Sequence, residues 1–189
     1  MLKNIPQIAT PISHQFENET FGKEIAAVSD CLEVRERSLD SNWENQHLFH
    51  IDIDLTHKWN DNLKEYLNNA FINKPDLKLI TLQATRCCQG ENIIDGMFQL
   101  DGKVYNSEDM LNNSIENTKW LRNNLGNNIL IGLENNNYYP TPAYDIITDG
   151  DFITRVLKKN NLFQLRVPSS KVTVIVSSVG TKKTDNNSK

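Results

Sequence analysis

The feature that most constrains this chain is a two-residue alternation of apolar and polar side chains, repeated in several short segments. In Leu48–Leu55, Phe49, Ile51, Ile53 and Leu55 share one face, and Leu48, His50, Asp52 and Asp54 share the other. Asn128–Glu134 sets Ile129, Ile131 and Leu133 opposite Leu130, Gly132 and Glu134. Leu77–Thr85 sets Ile80, Leu82 and Ala84 opposite Leu79, Thr81, Gln83 and Thr85, and Cys31–Arg35 sets Leu32 and Val34 opposite Glu33 and Arg35. Successive side chains of a strand point to opposite faces, so each segment reads as a strand with one apolar and one polar or ionisable face.

Helical patterns lie between these segments. A first strand is expected in Ile5–Gln15 and a short helix in Gly22–Ser29. Lys58–Phe71 carries Leu63, Tyr66, Leu67, Ala70 and Phe71 on one stripe, with Pro75 beyond its end. Ser107 is expected to cap a helix that buries Met110, Leu111, Ser114, Ile115, Thr118 and Leu121 and stops at Gly126. Asp149 caps another, ending at Lys158-Lys159, and Leu162–Val167 is a sixth strand. Cys88–Val104 reads as a long loop, and long loops in compact domains are often functional.

Helices alternating with strands imply βαβ units and a parallel sheet. A doubly wound sheet has helices on both faces, and its strands are apolar throughout. One-sided strands fit an α/β fold of another kind, an incomplete (β/α) TIM-type barrel with about six parallel strands. Its apolar faces meet the surrounding helices and its polar faces line a lumen. A flavodoxin-like sheet is the alternative.

The chain has 189 residues, enough for one domain with a real core, expected over residues 1–167. Residues 168–189, rich in Ser, Val, Lys and Thr, form an atypical and partly disordered tail in which Lys171–Val179 suits one more strand. No apolar run reaches the roughly 18 residues of a membrane span, and the N-terminus lacks a secretory apolar region, so a cytoplasmic location is expected. A net charge of −4 excludes a broad basic surface and disfavours nucleic acid as a partner. The cysteines, Cys31, Cys87 and Cys88, form neither a disulfide framework nor a zinc spacing. Cys87 and Cys88 read as unremarkable thiols at a strand end, on opposite faces.

Barrel active sites lie at the carboxyl ends of the strands, where Asp52, Asp54, Gln83 and Glu134 fall. Carboxylates and His50 aimed into one cavity repel unless neutralised. A divalent metal (manganese, iron, magnesium or zinc) does this, and so does a salt-bridge network with Glu33, Arg35 and Arg37; spacing leaves both open. The candidate catalytic groups are Asp52 and Glu134, and the candidate metal ligands are Glu134, His50 and Asp54. His14 shares alternation parity with Ile8 and Ile12 and suits packing as well as liganding, while His47 and His57 fall at or beyond strand ends and are expected in solvent. No phosphate loop, nucleophile elbow or HExxH pattern occurs.

The stretch Gly132–Asp145, GLENNNYYPTPAYD, resembles the xylose-isomerase-like TIM-barrel superfamily. More narrowly, it is similar to a branch near the multinuclear non-heme iron-dependent oxidative enzymes. The resemblance runs loosely from Ile5 to about Phe163. It implies that Glu134, at the end of the fifth strand, ligates a divalent metal such as iron, manganese or zinc. Relatives bring further Asp, His and Glu ligands from their sixth to eighth strands, where this chain has Arg166 and Ser169 and then no further strand–helix units. A complete barrel takes about 250 residues, so the resemblance implies a chain truncated at its C-terminus. The implied function is a divalent-metal-dependent enzyme (isomerase-like, hydrolase or iron-dependent oxidative) acting on a small molecule or peptide, inactive where the lost strands are essential. The competing expectation is a non-catalytic binding protein or the remnant of a disrupted gene. Open strand edges predict self-association.

Overall fold

In the computed structural model, which describes residues 8–126 and 128–165, the alternating segments become strands of one parallel sheet. In spatial order these are β1 (Ala9–Pro11), β2 (Cys31–Val34), β3 (Gln46–Asp54), β4 (Leu79–Ala84), β7 (Leu130–Asn135) and β8 (Phe163–Leu165). Four helices connect them: α1 (Glu19–Ala27), α2 (Asp61–Asn73), α3 (Ser107–Leu125) and α4 (Gly150–Asn160). Between β4 and α3 lies a small antiparallel hairpin, β5 (Ile93–Ile94) and β6 (Met97–Phe98). Ile5–Gln7, Arg166–Val167, Ser169 and the tail with Lys171–Val179 lie outside the described residues.

All neighbouring pairs in the large sheet are parallel, and spatial order follows chain order. A doubly wound sheet reverses direction at a switch point; among the described residues this one does not. Phe49, Ile51, Ile80, Leu82, Ile131 and Leu133 are fully buried. They share one core with Leu67 and Phe71 of α2, Met110 and Leu121 of α3, and Phe152 and Val156 of α4. The opposite face is open: the Asp52 side chain is 63% exposed and Leu130 is 42% exposed. The alternation therefore divides the sheet into a helix-covered face and a polar, accessible one.

Asparagine is frequent in this sequence, and helix starts explain part of its use. Asn18 caps α1 through Thr20 N and Phe21 N, Asn60 caps α2 through Leu63 N, and Asn106 caps α3 through Asp109 N. Each side-chain oxygen satisfies amide donors that have no partner inside the helix. The expected cap Ser107 is instead the first helical residue of α3, because the preceding Asn already supplies the acceptor. Asp149 and Gly126 act as expected, the latter at φ 75° where glycine carries no penalty. In α3, Ile115, expected on the buried stripe, is 37% exposed, and Asn117, not expected there, is buried.

Within the described part of the expected Ile5–Gln15 strand, only Ala9–Pro11 is extended as β1. Pro11 lacks an amide donor, which suits an edge strand, and the chain then turns at His14–Glu17 to bury Phe16. Among the described residues no helix is long and apolar enough to cross a membrane.

Cys87 and Cys88 are both buried rather than divided between two faces. Their thiols donate to Pro142 O (3.3 Å) and Gln99 O (3.4 Å), because the chain has left β4 and is folding across its end. Burial pushes the Cys87 thiol up to about 11. The folded state therefore holds a proton that the unfolded thiol releases from about pH 9, so this contribution to stability is intact below pH 9 and is lost as pH rises towards 11. Titration with a disulfide reagent at pH 8 should find Cys87 and Cys88 unreactive in the native protein and reactive after denaturation. Rapid native labelling of Cys87 would contradict the burial.

Candidate functional site

Register brings a set of polar residues together on the open face. His50 pairs with Thr81 and Thr81 with Gly132, while Gln83 pairs with Glu134 one step nearer the carboxyl ends. The Thr81 hydroxyl lies 2.8 Å from His50 Nδ1 and fixes the ring. His50 Nε2 then faces two carboxylates, Asp52 Oδ1 at 3.4 Å and Glu134 Oε2 at 3.6 Å. Gln83 Nε2 donates to Asp52 Oδ1 at 2.7 Å. Gly132 carries no side chain, so nothing from β7 fills the space beneath Glu134. The structure thus assembles three of the expected residues, His50, Asp52 and Glu134, with Gln83 as the orienting amide.

Asp54 shares their parity but is committed elsewhere. A register shift separates His50 from Asp54 along β3. Asp54 Oδ1 accepts from Thr56 N (2.8 Å) and Thr56 Oγ1 (2.6 Å), and Oδ2 accepts from Thr85 N (2.7 Å) and Thr85 Oγ1 (2.8 Å). Four donors occupy the acceptor capacity of an ionised carboxylate. Asp54 therefore ties the β3–α2 turn to the end of β4. Helix α3 holds the same turn from its other side: Asn117 Nδ2 donates to Leu55 O (2.9 Å) and His57 O (2.7 Å), and Asn113 Nδ2 to Thr56 O (3.0 Å).

The other histidines stand apart from the group. His57 is not in solvent as expected: its Nε2 is 2.9 Å from Arg86 O and its ring packs 5.1 Å from Tyr105, because the β4–α3 connection folds over it. His47 lies inside β3, half-buried, with Nδ1 3.1 Å from Asp76 O. His14 is exposed. Of the expected salt-bridge network, Glu33–Arg35 forms at 2.7 Å; Glu134 is paired with His50 and, among the described residues, with no arginine.

At the carboxyl ends of β3 and β4 a cavity of about 570 Å³ opens, lined by Asp52, Asp54, Gln83, Arg86, Phe98 and Tyr105. That is within the usual range for small-molecule sites. A recess of about 80 Å³ beside it is lined by Gln83, Thr85, Glu134 and Asn136. The long β4–α3 connection forms the cavity's outer wall. Phe98 N donates to Tyr144 Oη (2.9 Å), Phe98 O accepts from Thr141 Oγ1 (2.6 Å), and Cys87 N donates to Ala143 O (2.8 Å). The wall is thereby pinned to the β7–α4 connection. Sequence reasoning found the loop but not Arg86, whose one signal is a cation two residues beyond a strand's carboxyl end.

Among the described residues no group of three or more His, Cys, Asp and Glu side chains stands as a ready-made metal cage. No protein-family profile matches the sequence, and no curated protein shows significant similarity to it.

Proposed function

We propose that the protein is a divalent-metal-dependent enzyme built on the larger part of a TIM-type β/α barrel, acting at the mouth formed by β3, β4 and β7. Sequential strand order and helices gathered on one face support the barrel reading, since a one-way winding with one covered face is how such barrels are made. The observation that carries the functional reading is His50 Nε2 set against two carboxylates near the carboxyl ends of β3 and β7, the strands that flank β4.

Its separations of 3.4 and 3.6 Å exceed those of charge-assisted hydrogen bonds, which run at about 2.7–2.9 Å. They match the spacing of two donors on one tetrahedral cation, about 3.3–3.6 Å when each bond is about 2.0–2.2 Å. Imidazole with carboxylate suits iron, manganese or zinc. His50 and Glu134 would hold the ion, and the exposed Asp52 carboxylate would serve as third ligand or as the acid–base group. Asp54, with its oxygens filled, does not fit the set. A bound cation would polarise a carbonyl or hydroxyl or activate water. The chain's own residues supply the rest: Thr81 fixes the imidazole, Gln83 orients Asp52, and Asp52 takes or gives a proton at a substrate hydroxyl or carbonyl. Isomerisation, hydrolysis and iron-dependent oxidation share these needs. Three free thiols suit a reducing cytoplasm.

The lack of a ready-made cage among the described residues favours a second reading, a non-catalytic binding protein using the same cavity. Calorimetric titration with Mn²⁺ and Zn²⁺ separates the two. Wild type should bind one ion, and Glu134→Gln should weaken it by more than the roughly 10–100-fold loss caused by an outer-shell partner, with a nearly unchanged melting temperature. A wild type that binds neither metal leaves the non-catalytic reading.

A further inference from the structure

Arg86 is the feature of the cavity that metal chemistry leaves unused. Its side chain is 11% exposed, and its guanidinium lies over the Phe98 ring with Cζ 4.3 Å from the ring centre. Nε donates to Gly90 O at 2.8 Å, which fixes the plane of the group. The two terminal nitrogens are poorly engaged: Nη1 is 3.4 Å from Thr85 Oγ1 and Nη2 is 3.3 Å from Glu91 Oε1. Glu91 is the sole carboxylate paired with Arg86 among the described residues, and its side chain is 82% exposed. A charge taken this far out of water is costly unless paired with good geometry, and a surface carboxylate at this distance is a weak partner. The pair Nη1/Nη2 is also the edge that receives two oxygens of a carboxylate or phosphate side by side.

We propose that Arg86 binds an oxyanion, a carboxylate or phosphate group, of the small molecule that occupies the cavity at the ends of β3 and β4. Lys58 lines the same cavity and adds a second positive charge, and Asp52, Asp54, Gln83 and Glu91 line it too. The lining therefore carries both signs of charge, with the Asp54 oxygens already filled and Glu91 largely in solvent. It suits a molecule with an oxyanion at one end and a hydroxyl or carbonyl at the other, the latter reaching the groups around His50. The phenylalanine beneath the guanidinium is held through both its backbone polar groups by Tyr144 and Thr141, so the receptor edge is in place before a ligand arrives. This proposal rests on the reading of the cavity as a ligand site and is independent of the metal.

The test is a titration of ¹⁵N-labelled protein with inorganic phosphate and, separately, with succinate, following the Arg86 Nε–H signal and the Phe98 amide. Both signals should shift in a saturable way, and the anion that binds more tightly identifies the group. Arg86→Gln should weaken binding at least about tenfold, the loss expected for a charged hydrogen-bond donor. Glu91→Gln, a change at an exposed position that the fold tolerates, should tighten binding roughly two- to five-fold by removing a competitor worth no more than a surface ion pair. Glu134→Gln should leave anion binding unchanged even where metal binding is lost, so failure of the metal reading and failure of this one are told apart. Absence of saturable shifts with both anions, equal affinity in Arg86→Gln, or weaker binding in Glu91→Gln would each overturn the proposal.

Discussion

Asp54→Ala should destabilise the protein by about 3–5 kcal/mol, making it among the most damaging single changes at the cavity. The substitution removes one buried carboxylate and leaves four donors without their acceptor, two of them backbone amides at Thr56 and Thr85. Hydrogen bonds to a charged group contribute about 1.5–3 kcal/mol each, and stranded buried donors add a desolvation cost. The sum is kept below four full bonds because the threonine hydroxyls can rotate to other partners. Against a typical stability of about 5–15 kcal/mol, this is a large share. It corresponds to a fall in melting temperature of about 10 °C for a domain of this size. Asp54→Asn keeps one carbonyl acceptor and should recover part of the loss. A melting temperature within about 2 °C of wild type in Asp54→Ala, combined with lost metal binding, would return Asp54 to the role of ligand.

The contrast between Asp54 and its neighbours marks what the sequence discloses and what it hides. Parity along a strand is dictated by covalent geometry, so the polar face with His50, Asp52, Gln83 and Glu134 was readable at once. The burial of Phe49, Ile51, Ile131 and Leu133 was readable for the same reason. Parity says nothing about register. Asp54 has the same parity as His50, but the shift between them carries it to Thr56 and Thr85 and away from the histidine. Half-buried His57 and the guanidinium of Arg86 were hidden because a connection more than twenty residues long determines their surroundings, through bonds to residues 142–144 and other distant partners. One local signal for structure inside that connection is present in the sequence. Asp95-Gly96 is the strongest short-range hairpin dipeptide, and both residues take positive φ, 51° and 77°. The strands it joins have two residues each, too short to show any alternation.

Two adjacent residues of β7 test the one-sided architecture directly. Ile131→Ala should cost about 2–5 kcal/mol, because Ile131 is fully buried between the sheet and the helices and its removal leaves a cavity. Leu130→Ala should cost less than about 1 kcal/mol, because Leu130 is 42% exposed on the open face and its surroundings can close over the loss. Leu48, Leu79 and Leu130 are aligned across β3, β4 and β7, so they form the apolar floor below the polar site. In a closed barrel that floor would be covered, and Leu130 would then weigh as much as Ile131. Thermal melts of both variants, run with sedimentation of the wild type, decide the matter. A small loss at Leu130 in a monomer means that the polar face is open in solution and that the residues around His50 are reached from the sheet side as well as through the cavity mouth. Equal losses at the two positions would mean that the face is covered in solution. Sedimentation as a dimer would then name a second copy of the chain as the cover, and access to Glu134 would be confined to the cavity shared with Arg86.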